Sequence, residues 1–303
     1  MKLFAFDRIR SGDSPQLREP ITGVIELSDE LQDRKDDIDL SENEEEAVDE
    51  REAASAQVIH EVVRRHGDEE LERPTASLIW SGLAGGVAIS TSILGEALLE
   101  SKLPVTQWSS LVASMGYTLG FLIVVLGGLQ LFTESTLSAV LPVATHPGRR
   151  NIGRLLRLWV LVFIANMAGT MLIACLNNYG LIGAPEHRTA MLTLSRRLLE
   201  HDFVETVKLA IPAGFLMAAV PWVMPSSKGQ QFWVVFVLTY FIAVGGFAHV
   251  VAGSGEAWLL TFAGETSFTH AAFGMILPAL IGNVIGGTGL FALLAHAQVK
   301  QEL

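Results

Sequence analysis

Only one cysteine, Cys175, occurs in the 303 residues, so an intramolecular disulfide framework is excluded. It lies in an apolar run and reads as a small packed hydrophobe. The first ten residues lack a sustained apolar core, so no cleavable signal peptide is expected and the first membrane span must direct insertion. Nucleophile–base pairings, metal-ligand spacings and a Gly-rich stretch after a strand are missing too, which argues against an enzyme and leaves no cofactor or metal expected. Charge is the other shortage. Residues 1–75 hold 22 acidic and 10 basic side chains, leaving 10 and 11 for residues 76–303.

What is present is apolar bulk. Hydrophobic residues make up 50% of the chain and mean hydropathy is +0.40, outside the usual range of soluble domains, so this reads as an integral membrane protein. Two regions meet near Arg73-Pro74: an acidic tail, 1–75, and a membrane domain, 76–303. Residues 11–55 are too polar to bury a core and are expected to be disordered. From Glu52 to Arg73 an apolar stripe of Ala53, Val58, Ile59, Val62 and Val63 predicts an amphipathic helix against the membrane or the protein body.

Six segments of about bilayer length follow. They cover 77–98, 112–143 with a break, 155–177, 206–224, 232–260 with a break, and 273–296. An even number puts both termini on one side. Arg149, Arg150, Arg154 and Arg157 between the second and third spans, with Arg64, Arg65 and Arg73 before the first, predict that side to be cytoplasmic. The opposite-side connection carries Arg188, Arg196 and Arg197, which read either as solvated charge or as an electropositive vestibule. The six tryptophans fall mostly near span ends, as an interfacial belt would.

The organising stretch is Phe232–Trp258. Seventeen uncharged residues run to Ala248, and then His249 arrives among Gly245, Gly246, Gly253, Ser254 and Gly255. An ionisable group and irregular backbone at bilayer depth point to a pathway, the alternative being a neutral histidine satisfied by a neighbouring helix. Gly127-Gly128 interrupts the second segment in the corresponding place. Matching breaks in two three-span halves predict inverted repeats whose broken helices meet at a midplane site.

These residues resemble the formate/nitrite transporter family. Gly127-Gly128-Leu129-Gln130-Leu131-Phe132-Thr133 is similar to its second-span signature, with Gln130 where an acid is usual. Trp159, Asn166 and Gly169 match its third span, Gly246-Phe247-Ala248-His249 its fifth, and Pro278 with Gly282-Asn283 and Gly286-Gly287 its sixth. The resemblance covers residues 77–297 and implies an all-α, aquaporin-like six-helix bundle with inverted three-helix repeats and broken helices 2 and 5. It also implies a homopentamer in the bacterial inner membrane, carrying small monovalent anions such as formate, nitrite or hydrosulfide. Membrane lipid and a small anion are the expected partners, with no nucleic acid.

On the family pattern Thr133 and His249 form the polar waist. Leu131 and Phe121, with Tyr117 and Ile242 nearby, fall at the constrictions, and Arg196 or Arg197 stands nearest the family's lysine. Three positions depart from the pattern: Ala213-Gly214, where the family has an amide, and Glu134 and Glu256, in usually uncharged places. Each glutamate reads either as a wet helix-end group or as a carboxylate partner for His249 or Lys208; Glu205 and Lys208 could themselves pair. A Thr133 hydroxyl donating to one ring nitrogen of His249 would leave the other nitrogen's N–H for the permeant. The reading that results is a channel passing the permeant as its neutral acid or with a proton. The alternative is a sensor or scaffold with a non-conducting or differently selective pore.

Overall fold

The computed structural model describes residues 54–300, so the acidic tail expected over 11–55 lies almost wholly outside the described residues. All regular structure among them is helical. Ser55 accepts a hydrogen bond from the Val58 amide at 3.3 Å and caps α1 (Ala56–Glu72). Pro74 forces Arg73 into an extended conformation, which ends α1 before the first span begins.

The buried face of α1 is His60, Val63, Gly67, Glu70 and Leu71. The predicted stripe is therefore only partly used: Val58 and Val62 are 52% and 46% exposed, whereas Val63 packs on Leu137, Leu141 and Ala218. Close approach and polar anchoring turn the helix. A Cβ on Gly67 would lie 1.9 Å from the Ser138 carbonyl oxygen, and Glu70 is hydrogen-bonded into the bundle.

The first span is α2 (Thr75–Ile89) continued by α3 (Thr91–Lys102), interrupted at Ser90, whose hydroxyl donates to the Gly86 carbonyl at 2.9 Å. The second is α4 (Ser109–Leu126), broken at Gly127-Gly128 and resumed by the short α5 (Val140–Thr145). The third is α6 (Arg149–Asn178). The connection that follows is itself helical, as α7 (Pro185–Ser195) and a 3₁₀ turn, Arg196–Glu200. The fourth span is α8 (Phe203–Val223), capped by Asp202 on the Glu205 amide. The fifth is split into α9 (Gln231–Val244) and α10 (Val250–Phe262), 14 and 13 residues, each too short to cross a bilayer alone. The last is α11 (Phe268–Val299), which contains two π-helical stretches.

The halves of the bundle repeat each other. A Cβ on Gly86 of α2 would lie 2.3 Å from the Asn166 carbonyl oxygen of α6, and one on Gly214 of α8 would lie 2.2 Å from that of Asn283 of α11. First packs on third and fourth on sixth, through glycines at equivalent positions. Gly214, where an amide was expected, therefore marks a backbone contact. The tryptophans do not all form a belt: Trp80, Trp108 and Trp233 are exposed, but Trp258 is buried and the half-buried Trp159 donates to the Ser135 carbonyl at 3.2 Å.

Candidate functional site

Both broken helices stop in the same way. Gly128 (φ 63°) and Gly246 (φ 61°) adopt the left-handed conformation that closes a helix C-terminus. Behind them the Leu129 amide reaches back to Val124 and the Phe247 amide to Ile242, each at 2.9 Å. The chain then runs irregularly through the bundle, and its polar groups must find partners there.

Two asparagines supply them. Asn166 on α6 accepts from the Phe132 amide (3.0 Å) and donates to the carbonyls of Gln130 (2.9 Å) and Gly82 (2.7 Å). Asn283 on α11 accepts from the Val250 amide (2.8 Å) and donates to the carbonyls of Ala248 (2.9 Å) and Ala210 (2.8 Å). Each amide thus spans its break and ties it to the opening helix of the same repeat. Gln130, Leu131 and Phe132 are the counterparts of Ala248, His249 and Val250, so Leu131 stands where the other repeat has His249.

Held this way, Thr133 and His249 meet at 2.7 Å, Oγ1 to Nε2, both buried. Phe121 packs edge-on against the imidazole, ring centroids 4.9 Å apart, and Tyr117 packs on Phe121 at 5.2 Å. His249 also caps α10: its Nδ1 accepts the Ala252 amide at 3.1 Å. That bond assigns the neutral tautomer. Nδ1 bears no proton, so Nε2–H donates to Thr133, and the free donor is the threonine hydroxyl. The expected direction is reversed, and no ring N–H remains for a ligand. A second ring proton would have to break the α10 cap and stand at a positive helix end. Neither Glu134 nor Glu256 hydrogen-bonds His249, whose two nitrogens are taken. Glu205 lies 3.3 Å from His201 rather than pairing with Lys208, which makes no ion pair among the described residues.

One cavity reaches the pair and a second opens beside Glu134, next to Thr133 in the chain. A distal one of about 190 Å³ reaches His249 past Arg197, Glu96, Glu256, Tyr117 and Ile242. A proximal one of about 430 Å³, on the α1 side, is lined by Gln130, Glu134, Ser138, Glu70 and His66. Phe121, Leu131 and Thr133 line neither and are fully buried, a layer closed to both. The arginines opposite α1 are engaged: Arg196 forms a two-pronged pair with Glu265, Arg197 binds Glu100, and Arg188 donates to Asn178. Glu265 is held below the usual carboxylate range by that Arg196 pair. The electropositive vestibule is thus replaced by a cavity holding two carboxylates and one already paired guanidinium.

A profile of the formate/nitrite transporter family matches residues 57–297. The chain belongs to that family. Inner membrane protein YfdC of Escherichia coli (strain K12) is 35% identical over 279 residues, spanning 92% of this chain and 88% of its own length. Formate channel BtFdhC of Bacillus thuringiensis is 26% identical over 238 residues, spanning 76% and 90%. Among solved structures, a pentameric formate channel with formate bound superposes with a TM-score of 0.65 at 18% identity, over 75% of this chain and 98% of that one; the likeness supports the fold. The protein is accordingly a multi-pass membrane transporter-family bundle and not an enzyme.

Within this formate/nitrite transporter fold, three residues carry structure that the motifs did not assign. Glu96 lines the distal cavity, and nothing in an isolated Gly-Glu-Ala marks it as facing inward. Glu70 accepts from Gln130 Nε2 at 2.8 Å and from the Ser138 hydroxyl at 2.5 Å, joining α1 to the first break. His60 Nε2 lies 3.2 Å from His296 Nδ1 and joins α1 to α11. A glutamate and a histidine on the apolar face of an amphipathic helix were the available signals.

Proposed function

We propose that the protein is a pentameric channel of the bacterial inner membrane for small weak acids of the formate class, which cross the closed layer as the neutral species. The observation that carries this reading is the Thr133–His249 pair, buried beside Phe121, with one cavity reaching it and a second opening beside Glu134. Bringing a bare monovalent anion out of water into such a layer costs of order several kcal/mol, whereas its neutral acid crosses at far lower cost and can exchange hydrogen bonds with the Thr133 hydroxyl. Leu131 and Phe121 serve as the apolar constrictions, with Tyr117 and Ile242 at the distal approach. Arg197 holds Glu100 at the distal mouth, and Glu134 faces the proximal cavity.

The α1 side is assigned to the cytoplasm. Arg154 lies 3.5 Å from Glu72 and Arg157 donates to the Arg73 carbonyl, which gathers the arginines of both segments on one side, consistent with the positive-inside pattern. Uptake of radiolabelled formate, nitrite, hydrosulfide, acetate and lactate into proteoliposomes at two pH values tests the reading. Formate uptake that rises as external pH falls is expected; no flux of any of the five at either pH sinks it.

One observation favours a second reading, a pore of different selectivity. Each cavity sets two carboxyl side chains against one arginine, Glu96 and Glu256 with Arg197 distally and Glu70 and Glu134 with Arg73 proximally. Such walls repel anions and attract cations. Methylammonium flux exceeding formate flux in the same liposomes would establish it.

A further inference from the structure

Resting on the weak-acid reading, the geometry points to Glu96 and Glu256 as the proton-loading site of the distal cavity, where an arriving monovalent anion takes its proton before meeting the apolar layer. Glu96 comes from α3 and Glu256 from α10, so two separate elements bring two carboxyl groups to one wall. Glu96 is 8% exposed and faces the cavity without a hydrogen bond or ion pair to any described residue; Glu256 likewise has none. The Arg197 guanidinium acts on both only at longer range; a buried carboxyl with no hydrogen-bond partner is costly, and one kept against a cavity is free to exchange with what the cavity holds.

His249, which also lines this cavity, is occupied. Its Nε2–H is given to Thr133 and its Nδ1 to the Ala252 amide, so it has neither a proton to spare nor a free site for one. Tyr117, the ionisable side chain that α4 adds to this wall, is a phenol and a poor acid toward formate. Arg197 is bound by Glu100, and His201 lies at the mouth beside Glu205. α8 and α11 add no ionisable side chain to this wall among the described residues.

The step balances without a co-reactant. The carboxyl O–H bond breaks, its electron pair stays on the glutamate oxygen, and a new O–H bond forms on the anion, giving glutamate and neutral formic acid. Water in the distal cavity then returns a proton to the carboxylate.

The test is radiolabelled formate uptake into proteoliposomes at external pH 5.5 and 7.5 for wild type, E96Q/E256Q and E96D/E256D. Wild type is expected to run roughly tenfold or more faster at the lower pH. E96Q/E256Q should lose that ratio, running at nearly one rate at both values, while E96D/E256D, which keeps both carboxyl groups, should retain it. The aspartate variant separates proton loading from a general packing defect. A wild-type pH ratio preserved in E96Q/E256Q overturns the site while leaving the weak-acid reading intact. Uptake at fixed pH that follows external sodium also overturns it, in favour of an alkali-cation site. No wild-type formate flux at either pH sinks the weak-acid reading, and this site with it.

Discussion

Asn166 and Asn283 are the same device used twice: each carboxamide accepts one amide and donates to two carbonyls, bridging a chain break and the first helix of its own repeat. An asparagine amide has one acceptor oxygen and two N–H donors, and here each is used once or more. Unwound backbone at bilayer depth is stable only with such satisfaction.

Replacing Asn283 by Ala leaves the Val250 amide and the Ala210 and Ala248 carbonyls without this partner. The expected cost is about 1–3 kcal/mol for each group that finds no substitute. Thermal unfolding of the purified protein in detergent should show a lowered midpoint for N283A and N166A alike. An unchanged midpoint in either would mean that the break is held by something else.

Glycine contacts set the helix spacing, and they predict a sharp contrast. G214V places a side chain whose first carbon would lie 2.2 Å from the Asn283 carbonyl oxygen, a backbone atom with nowhere to move, whereas a Cβ on Gly153 meets nothing within 4 Å. Membrane expression followed by size-exclusion chromatography should show little or no assembled G214V and normal G153A. Equal yields would contradict the packing.

Glu70 predicts the behaviour of α1. E70A removes the acceptor of both Gln130 and Ser138, leaving Gln130 Nε2 unpaired and Ser138 with only the Glu134 carbonyl at 3.4 Å, so α1 should detach more readily, by about 1–3 kcal/mol per orphaned group. Hydrogen exchange of residues 56–72 reads this directly. Exchange in E70A equal to wild type would show that the apolar face alone holds the helix.

Acid should act on α1 through His60. Burial, and the His296 ring beside it, hold the His60 pKa below the ordinary 6.5. The docked helix therefore binds fewer protons than the detached one, so docking is fully stable above about pH 6.5 and weakens as pH falls below it. Exchange over residues 56–72 should accelerate between pH 7 and 5 in wild type and much less in H60Q. Protection that is flat across this window in wild type would exclude the histidine as its origin.

Much of this architecture was legible before any coordinates. Gly127-Gly128 and Gly245-Gly246 reveal broken helices because a left-handed residue after an apolar run closes a helix, and their like placement in two halves reveals the repeat. The partners of a buried group were less legible. Glu134 and Glu256 stand near Thr133 and His249 in sequence, yet the helix geometry turns both into cavities and gives His249 nitrogens to a hydroxyl and a backbone amide. Glu96 was silent because a single acid in an apolar helix does not disclose which neighbours it faces. The stripe on α1 is only partly buried for a related reason: apolar spacing gives a face, but Glu70 and Gly67 decide the rotation.

The most direct measurement is the initial rate of radiolabelled formate uptake in proteoliposomes containing wild type, T133V and H249F, at external pH 5.5 and 7.5. T133V removes the hydroxyl donor without changing the side chain's size greatly, and H249F removes both the Nε2–H and the α10 cap. The account predicts flux in wild type that rises at the lower pH and falls at least tenfold in both variants. Wild-type rates and pH response in both would show that the permeant never meets the Thr133–His249 pair.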